Sequence, residues 1–320
     1  MRGFINVDKP RGITSFEVVR RIRRAARTKK VGHAGTLDPN ATGVLPIAVG
    51  EATRLVDELV GARKRYAAEI LFGVETDTYD PEGDVVDERD ASALDEPRVR
   101  EALAGFLGEQ MQIPPAYSAV KRAGVPAYRA ARRGDPLTLD ARPVTVYALD
   151  VLAFDHSHPA RPVLHLDVQC GKGFYVRSLA HDLGALLGAG AHLAGLRRTQ
   201  VGPFLVADAI PLDEAVARLQ ADEGTSIVLP PDAVLGDWPA VTLTAEQTVR
   251  TRQGLDVSLA ASGYVASLGQ RRARAYTPDG TLIALLEPSS VLGAWHPYRV
   301  FPAEPTASPP QFGDALPPIG

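Results

Sequence analysis

The sequence predicts an α+β fold in two unequal parts. Three observations carry that expectation. Its 320 residues, 45% of them hydrophobic, suffice to bury a sizeable core in one large domain or two. Strand-like runs lie among helices with capping signals in the first two thirds of the chain, and no internal repeat is present. After Pro230-Pro231 and Asp237-Trp238-Pro239 the texture changes to short β-like runs joined by turns.

Taken in order, Ile5-Asn6-Val7-Asp8-Lys9-Pro10 reads as a short strand ended by a turn. Thr14 and Glu17 then form a capping box, with Ile13 and Val18 as its hydrophobic staple, for a helix to about Ala26. The helix carries Arg20, Arg21, Arg23 and Arg24, with Arg27 just beyond it, a solvated or a phosphate-facing surface. Tyr66 to Gly73 reads as a strand, Thr76 to Asp84 as an acidic turn, and Pro97 to Leu107 as a helix. The basic stretch from about 112 to 144, rich in Gly, Pro and Tyr, is an excursion able to clasp a nucleic acid. Val163 to Cys170 alternates at period two, and Gly171-Lys172-Gly173 turns into a helix containing Arg177. That turn is not a phosphate-binding P-loop, because Gly173 follows Lys172 where Ser or Thr is required. Beyond Trp238, Thr244 and Gln247 form a second capping box, the helix stops before Gly254, and β-like runs follow at Ala273–Tyr276, Leu282–Leu286 and Tyr298–Phe301. Residues 304–320, dense in Pro, are expected to be a disordered tail.

Composition narrows the function. Cys170 is the only cysteine, so an intrachain disulfide is excluded. No segment reaches the roughly 18 apolar residues of a membrane span, and the cytoplasm is the expected compartment. No paired His and Cys spacing suggests a metal. The net charge of −3 hides opposing blocks: +8 over residues 1–65, −10 over 66–118, +5 over 119–202 and −6 over 203–320. Salt confines each exposed charge to about 10 Å, so local clusters decide where phosphates dock. Of the 35 basic residues 29 are Arg, a bias that suits bidentate phosphate contacts and equally suits a GC-rich genome.

The stretch Gly32-His33-Ala34-Gly35-Thr36-Leu37-Asp38-Pro39-Asn40-Ala41-Thr42-Gly43 sets one carboxylate, Asp38, in a glycine-rich turn inside a cationic region. Asp-Pro alone is a common helix start, with Asp38 as N-cap and Pro39 at the first helical position. The glycines, free to take positive φ and to let a ligand approach, and the planar ring of His33 point instead to chemistry. This stretch resembles the catalytic motif of the bacterial tRNA pseudouridine(55) synthase family. Lys9-Pro10-x-Gly12-x-Thr14-Ser15, Lys64-Arg65-Tyr66, Ile113-Pro114-Pro115-x-Tyr117-Ser118-Ala119-x-Lys121, Gly173-Phe174-Tyr175-Val176-Arg177-Ser178 and Leu196-Arg197-Arg198 match the same family in order, from about Phe4 to Arg198.

The resemblance implies a mixed, largely antiparallel central sheet with flanking helices, the pseudouridine synthase fold, over residues 1–236. It also implies a PUA-like RNA-binding domain over 237–303. It implies isomerisation of uridine to pseudouridine in the T arm of tRNA, with no cofactor, no metal and no obligate protein partner, by a monomer. Asp38 is then the catalytic carboxylate, Arg177 its ion-pair partner, and Tyr66 a stacking residue that takes the C5 proton. Tyr175 and Leu196 line the base pocket, and His33 braces the stack vacated by a flipped base. Lys121, Arg132 and Arg133 contact phosphate, setting register more than identity. Two alternatives stand beside this reading: a tRNA-binding folding factor, and a pseudouridylase that depends on a guide RNA.

Overall fold

The computed structural model describes residues 1–118, 120–122, 125–131, 133, 135, 137–262 and 271–302. They fall into two units, Met1–Val234 and a second beginning at Leu235. The expected tail, 304–320, lies outside the described residues.

The first unit begins β1 (Gly3–Lys9), α1 (Ser15–Ala25), β2 (Val31–His33), β3 (Thr42–Val49), α2 (Val56–Val60) and β4 (Lys64–Phe72). A hairpin of β5 (Val74–Thr76) and β6 (Val85–Glu88) leads to α3 (Glu96–Ala104) and β7 (Gly108–Gln112). The basic excursion holds a two-residue pair, β8 (Lys121–Arg122) with β9 (Val125–Pro126), and α4 (Ala127–Ala131). The chain returns as β10 (Arg142–Asp155), β11 (Val163–Cys170), α5 (Val176–Leu187) and β12 (Ala191–Val201). Three short elements close the unit: β13 (Phe204–Leu205), β14 (Ile210–Pro211) and α6 (Leu212–Gln220).

Ten of these strands form one sheet in the order β14-β1-β3-β12-β4-β11-β10-β7, with β13 on β12 and β2 on β3. Only β1 with β14 and β3 with β12 pair in parallel, so the sheet is mixed and largely antiparallel, as expected. Val18, Val19, Ile22 and Ala25 line one side of α1 and pack with Leu212, Ala215 and Leu219 of α6 against Ile5, Val7, Leu45 and Ile47. Each fully buried aliphatic side chain contributes about 1.5–3 kcal/mol, and together they fix α1 on the sheet while its arginines stay outside. A second core gathers α3 and α5 over β4, β10 and β11.

Thr14 caps α1 by accepting the Glu17 N–H (3.1 Å), but the Glu17 carboxylate turns to Arg20 (2.7 and 2.9 Å). The expected box is thus half formed, because a carboxylate finds a stronger partner in an adjacent guanidinium than in a backbone N–H. α3 stops at Ala104 rather than Leu107, capped by Gly105, because the next strand starts at Gly108.

The second unit comprises β15 (Ala240–Thr242), α7 (Ala245–Arg252), β16 (Val257–Ser258), β17 (Ala273–Tyr276), β18 (Leu282–Pro288) and β19 (Ala294–Val300). Its sheet runs β15-β17-β18-β19-β16. Thr244 and Gln247 make the complete capping box at the start of α7. The last strand begins four residues before the expected Tyr298, where Trp295 (6% exposed) supplies the core contact that the alternation pattern understated.

Candidate active site

Asp38 stands on the loop between β2 and β3, and no helix follows it, so the capping reading of Asp38-Pro39 is overturned. Its carbonyl instead accepts the Ala41 N–H at 3.1 Å, closing a tight turn over Pro39-Asn40. Two neighbours hold this loop. Ser15, at the start of α1, accepts the Leu37 N–H (2.9 Å) and donates to the Leu37 carbonyl (3.0 Å). Lys9, at the end of β1 and fully buried, donates to the carbonyls of Pro39 (3.0 Å), Pro10 (2.9 Å) and Ile13 (2.8 Å). Burial lowers the Lys9 ammonium to about 8, with Asp38 pulling it back up.

Arg177, the second residue of α5, is buried and meets two carboxylates: Asp38 Oδ2 at 3.0 Å and Asp80 Oδ2 at 3.3 Å. Its remaining donors reach the carbonyls of Tyr117 (2.9 Å) and Thr78 (3.2 Å). Asp80 is in turn fixed by the Thr78 hydroxyl (2.6 Å) and the Glu82 N–H (3.0 Å). Asp38 keeps 43% of its side chain accessible, enough for a substrate to reach it, yet it is recessed among protein atoms that displace bulk water. That burial raises its pKa above the usual carboxylate value; Arg177 pulls it down and the Asp80 anion pushes it further up. Burial thus outweighs the pull of the Arg177 ion pair.

Tyr66, the third residue of β4, is 7% exposed. Burial raises its phenol, while Arg198, hydrogen-bonded to the hydroxyl, favours the phenolate. Arg198 is 1% exposed and also donates to the carbonyls of Val44 (2.7 Å) and Gly35 (3.0 Å). Only glycine permits this approach of β3 to β12: at Gly43, φ is +99° and a Cβ would lie 2.2 Å from the Arg198 carbonyl oxygen. Beside Tyr66, Lys64 donates to the carbonyls of Val60 (3.0 Å) and Ala62 (2.9 Å), and burial lowers it to about 8. Cys170, paired across β11 with Lys64, is pushed up to about 12 by burial.

Asp38, Tyr66, Tyr175, Arg177 and Leu196 line one cleft of about 260 Å³, shared with Lys64 and Arg198. Gln112 clamps the Tyr175 backbone, accepting its N–H (2.8 Å) and donating to its carbonyl (3.1 Å). Of the other sequence-predicted residues, His33 and Arg133 are not among those lining the cleft. His33 ends β2, half-buried opposite Ile47, with its Nδ1 buried and its pKa lowered by burial. Arg133 is exposed just after α4. Lys121 begins β8 but its side chain lies outside what is described, as does all of Arg132. Among the described residues no three metal-ligating side chains gather, and no helix is long and apolar enough to cross a membrane.

Sequence reasoning missed Asp80, Lys64 and Arg198. Period-two alternation was the available signal for two of them: Lys64 shares a strand face with Tyr66, and Arg198 with Leu196. Asp80 gave no such signal, since a carboxylate in an acidic turn reads as solvated.

Comparison with known proteins identifies the family. The model of the TruB family pseudouridylate synthase N-terminal domain matches residues 23–176, and that of the tRNA pseudouridylate synthase B C-terminal domain matches 177–235. The tRNA pseudouridine synthase B of Dehalococcoides mccartyi strain ATCC BAA-2266 is 41% identical over 301 residues, 94% of this chain and 97% of that protein. The enzyme of the same name from Symbiobacterium thermophilum is 47% identical over 253 residues, 79% of this chain and 82% of the other. Among solved structures, a Cbf5-Nop10-Gar1 complex matches with TM-score 0.67 and 31% identity, covering 89% of this chain and 78% of that one. An H/ACA RNP bound to a substrate RNA containing 2′-deoxyuridine matches with TM-score 0.69 and 25% identity, over 94% and 85%. The chain belongs to the TruB family of pseudouridylate synthases.

Proposed function

We propose that this enzyme isomerises uridine to pseudouridine at position 55, in the T arm of tRNA, without metal or nucleotide cofactor, and that Asp38 is the reacting carboxylate. The single observation that carries the reading is the Asp38 carboxylate, reachable in a cleft and held at 3.0 Å by a buried guanidinium. The relatives' names support tRNA as the substrate.

The reaction breaks the C1′–N1 bond, turns the base in place, joins C1′ to C5, and loses the C5 proton while the freed N1 gains one, so atoms balance with no second substrate. Asp38 either attacks C1′ or removes a ribose proton. Arg177 orients it and offsets its charge as water is expelled. Tyr66 stacks on the uracil and is the candidate acceptor of the C5 proton, a role that its burial opposes and that Arg198, hydrogen-bonded to its hydroxyl, favours. Tyr175 and Leu196 retain the freed base, and the target nucleotide must be flipped to enter, at a cost of a few kcal/mol. His33 would brace the vacated stack from outside the cleft. Lys121, Arg132 and Arg133 would hold phosphates, residues 1–236 would be the catalytic domain and 237–303 a PUA-like RNA-binding domain, acting as a monomer. A folding factor without catalysis leaves the buried Asp38–Arg177–Asp80 arrangement without a purpose.

Purified protein incubated with unmodified tRNA transcript in EDTA should form pseudouridine at one T-arm uridine, read by a pseudouridine-specific chemical probe. Asp38→Asn should bind the tRNA and form none. Product only after metal is added, product elsewhere, or turnover in Asp38→Asn would overturn the reading.

A further inference from the structure

Outside the catalytic cleft, one exposed aromatic side chain is built in an unusual way. Tyr147 lies in β10, where Val146 pairs with Cys170 but Ala148 pairs with Gln169, so Tyr147 is the extra residue of a β-bulge. Bulges re-aim a side chain and recur beside active sites. Val146 stays in the core at 2% exposed, whereas Tyr147 is 43% exposed. The Arg63 guanidinium lies 4.0 Å from the centre of its ring. A surface cation over an aromatic face is worth little by itself, so this pairing is a poor reason to expose a tyrosine.

The bulge is joined to the cleft. The Gly171 N–H donates to the Thr145 carbonyl at 2.8 Å, and a Cβ on Gly171 would lie 3.6 Å from Tyr147 Oη. Gly171 and the exposed Lys172 line the cleft itself. Arg63, also exposed, directly precedes Lys64. Beside the cleft, an exposed aromatic ring thus lies against Arg63 and next to Gly171, which the exposed Lys172 of the cleft lining follows, and an aromatic plane with cations near it is the combination that holds single-stranded nucleic acid by stacking and phosphate attraction.

Flipping one base also strips stacking from its neighbours in the strand. We propose that Tyr147, oriented by Arg63, is a second stacking platform, which receives a nucleobase adjacent to the target nucleotide. This rests on the reading that a flipped RNA base occupies the Asp38 cleft.

The test places 2-aminopurine, whose fluorescence is quenched by stacking, at each of the two positions on either side of the target uridine in a T-arm RNA. With the intact protein, one of these positions should be quenched. Tyr147→Ala should restore its fluorescence and weaken binding roughly tenfold, the size of one base–aromatic stack. Tyr147→Phe should keep the quench, and Arg63→Met should reduce it. Removing that one base from the RNA should make Tyr147→Ala nearly silent, because each change deletes the same interaction. Quenching that is absent at every position, or unchanged in a folded Tyr147→Ala, would overturn the proposal. Pseudouridine formation in the unlabelled RNA separates the two readings: product without quench removes the platform alone, and no product removes the cleft assignment.

Discussion

Among the described residues, Lys9, Lys64, Asp80, Asp167, Arg177 and Arg198 are all buried in the first unit, whereas the buried polar residues of the second, Gln247, Thr248, Thr251 and Thr277, are uncharged. Taking a charge from water costs several kcal/mol even after the protein relaxes, so the second unit is what folding alone selects. Its core of Val, Leu, Ile and Ala closes on Trp295. In the first unit carbonyls offset the cost for the cations, all four of them at the Asp38 loop or its cleft: Lys9 has three, while Lys64, Arg177 and Arg198 each have two. Asp167 on β11 is instead held by Arg65 of the adjoining strand.

Removing the central cation should have the largest effect. Arg177→Met leaves the Asp38 and Asp80 carboxylates without the guanidinium they share, and should cost about 3–5 kcal/mol in denaturant melts with at least about a 10²-fold loss in single-turnover rate. Adding Asp80→Asn should recover part of the stability, and a double variant no more stable than the single would weaken the charge argument. In the second unit the same comparison predicts an ordinary cavity cost. Leu286→Ala, at a fully buried position, should lower that unit's unfolding free energy by about 2–5 kcal/mol while turnover at saturating RNA persists.

The pH dependence is a finer test. With Asp38 as the proposed reacting carboxylate, the rate should fall about tenfold per pH unit below its pKa, with the inflection above the ordinary carboxylate value of about 4. Asp80 raises that pKa, so Asp80→Asn should move the inflection down, and an upward shift would mean that Asp80 acts mainly by placing Arg177. The smallest effect should come from the excursion. Replacing Arg132 and Arg133 together by Ala should flatten the salt dependence of tRNA binding by about one unit for each phosphate no longer neutralised. An unchanged slope would make them a solvated face.

Much of this was legible because the pattern was local. The Thr14 cap, the β11 alternation and the turn at Gly171–Gly173 each depend on a few neighbouring residues, and the ordered motifs named the cleft residues Asp38, Tyr66, Tyr175, Arg177 and Leu196. What stayed hidden depended on contacts across the fold. Asp80 reaches Arg177 from 97 positions away, and nothing near it in the chain marks it as buried. The net direction of the Asp38 shift was equally out of reach, because it sets burial and the Asp80 charge of the acidic turn against Arg177 of α5 and Lys9 of β1. His33 is placed by the β2 pairing opposite Ile47 and not by the loop it precedes, and that long-range register leaves no local trace.

Cys170 gives the fold a built-in clock. The only thiol in the chain sits between Val146 of β10 and Lys64 of β4, 1% exposed, and at about 12 its thiolate fraction at pH 7 is on the order of 10⁻⁵. An alkylating reagent must therefore wait until the sheet beside the cleft parts. The labelling rate of the unaltered protein then tracks how often that thiol is exposed, and a bound RNA that seals the cleft should lower it.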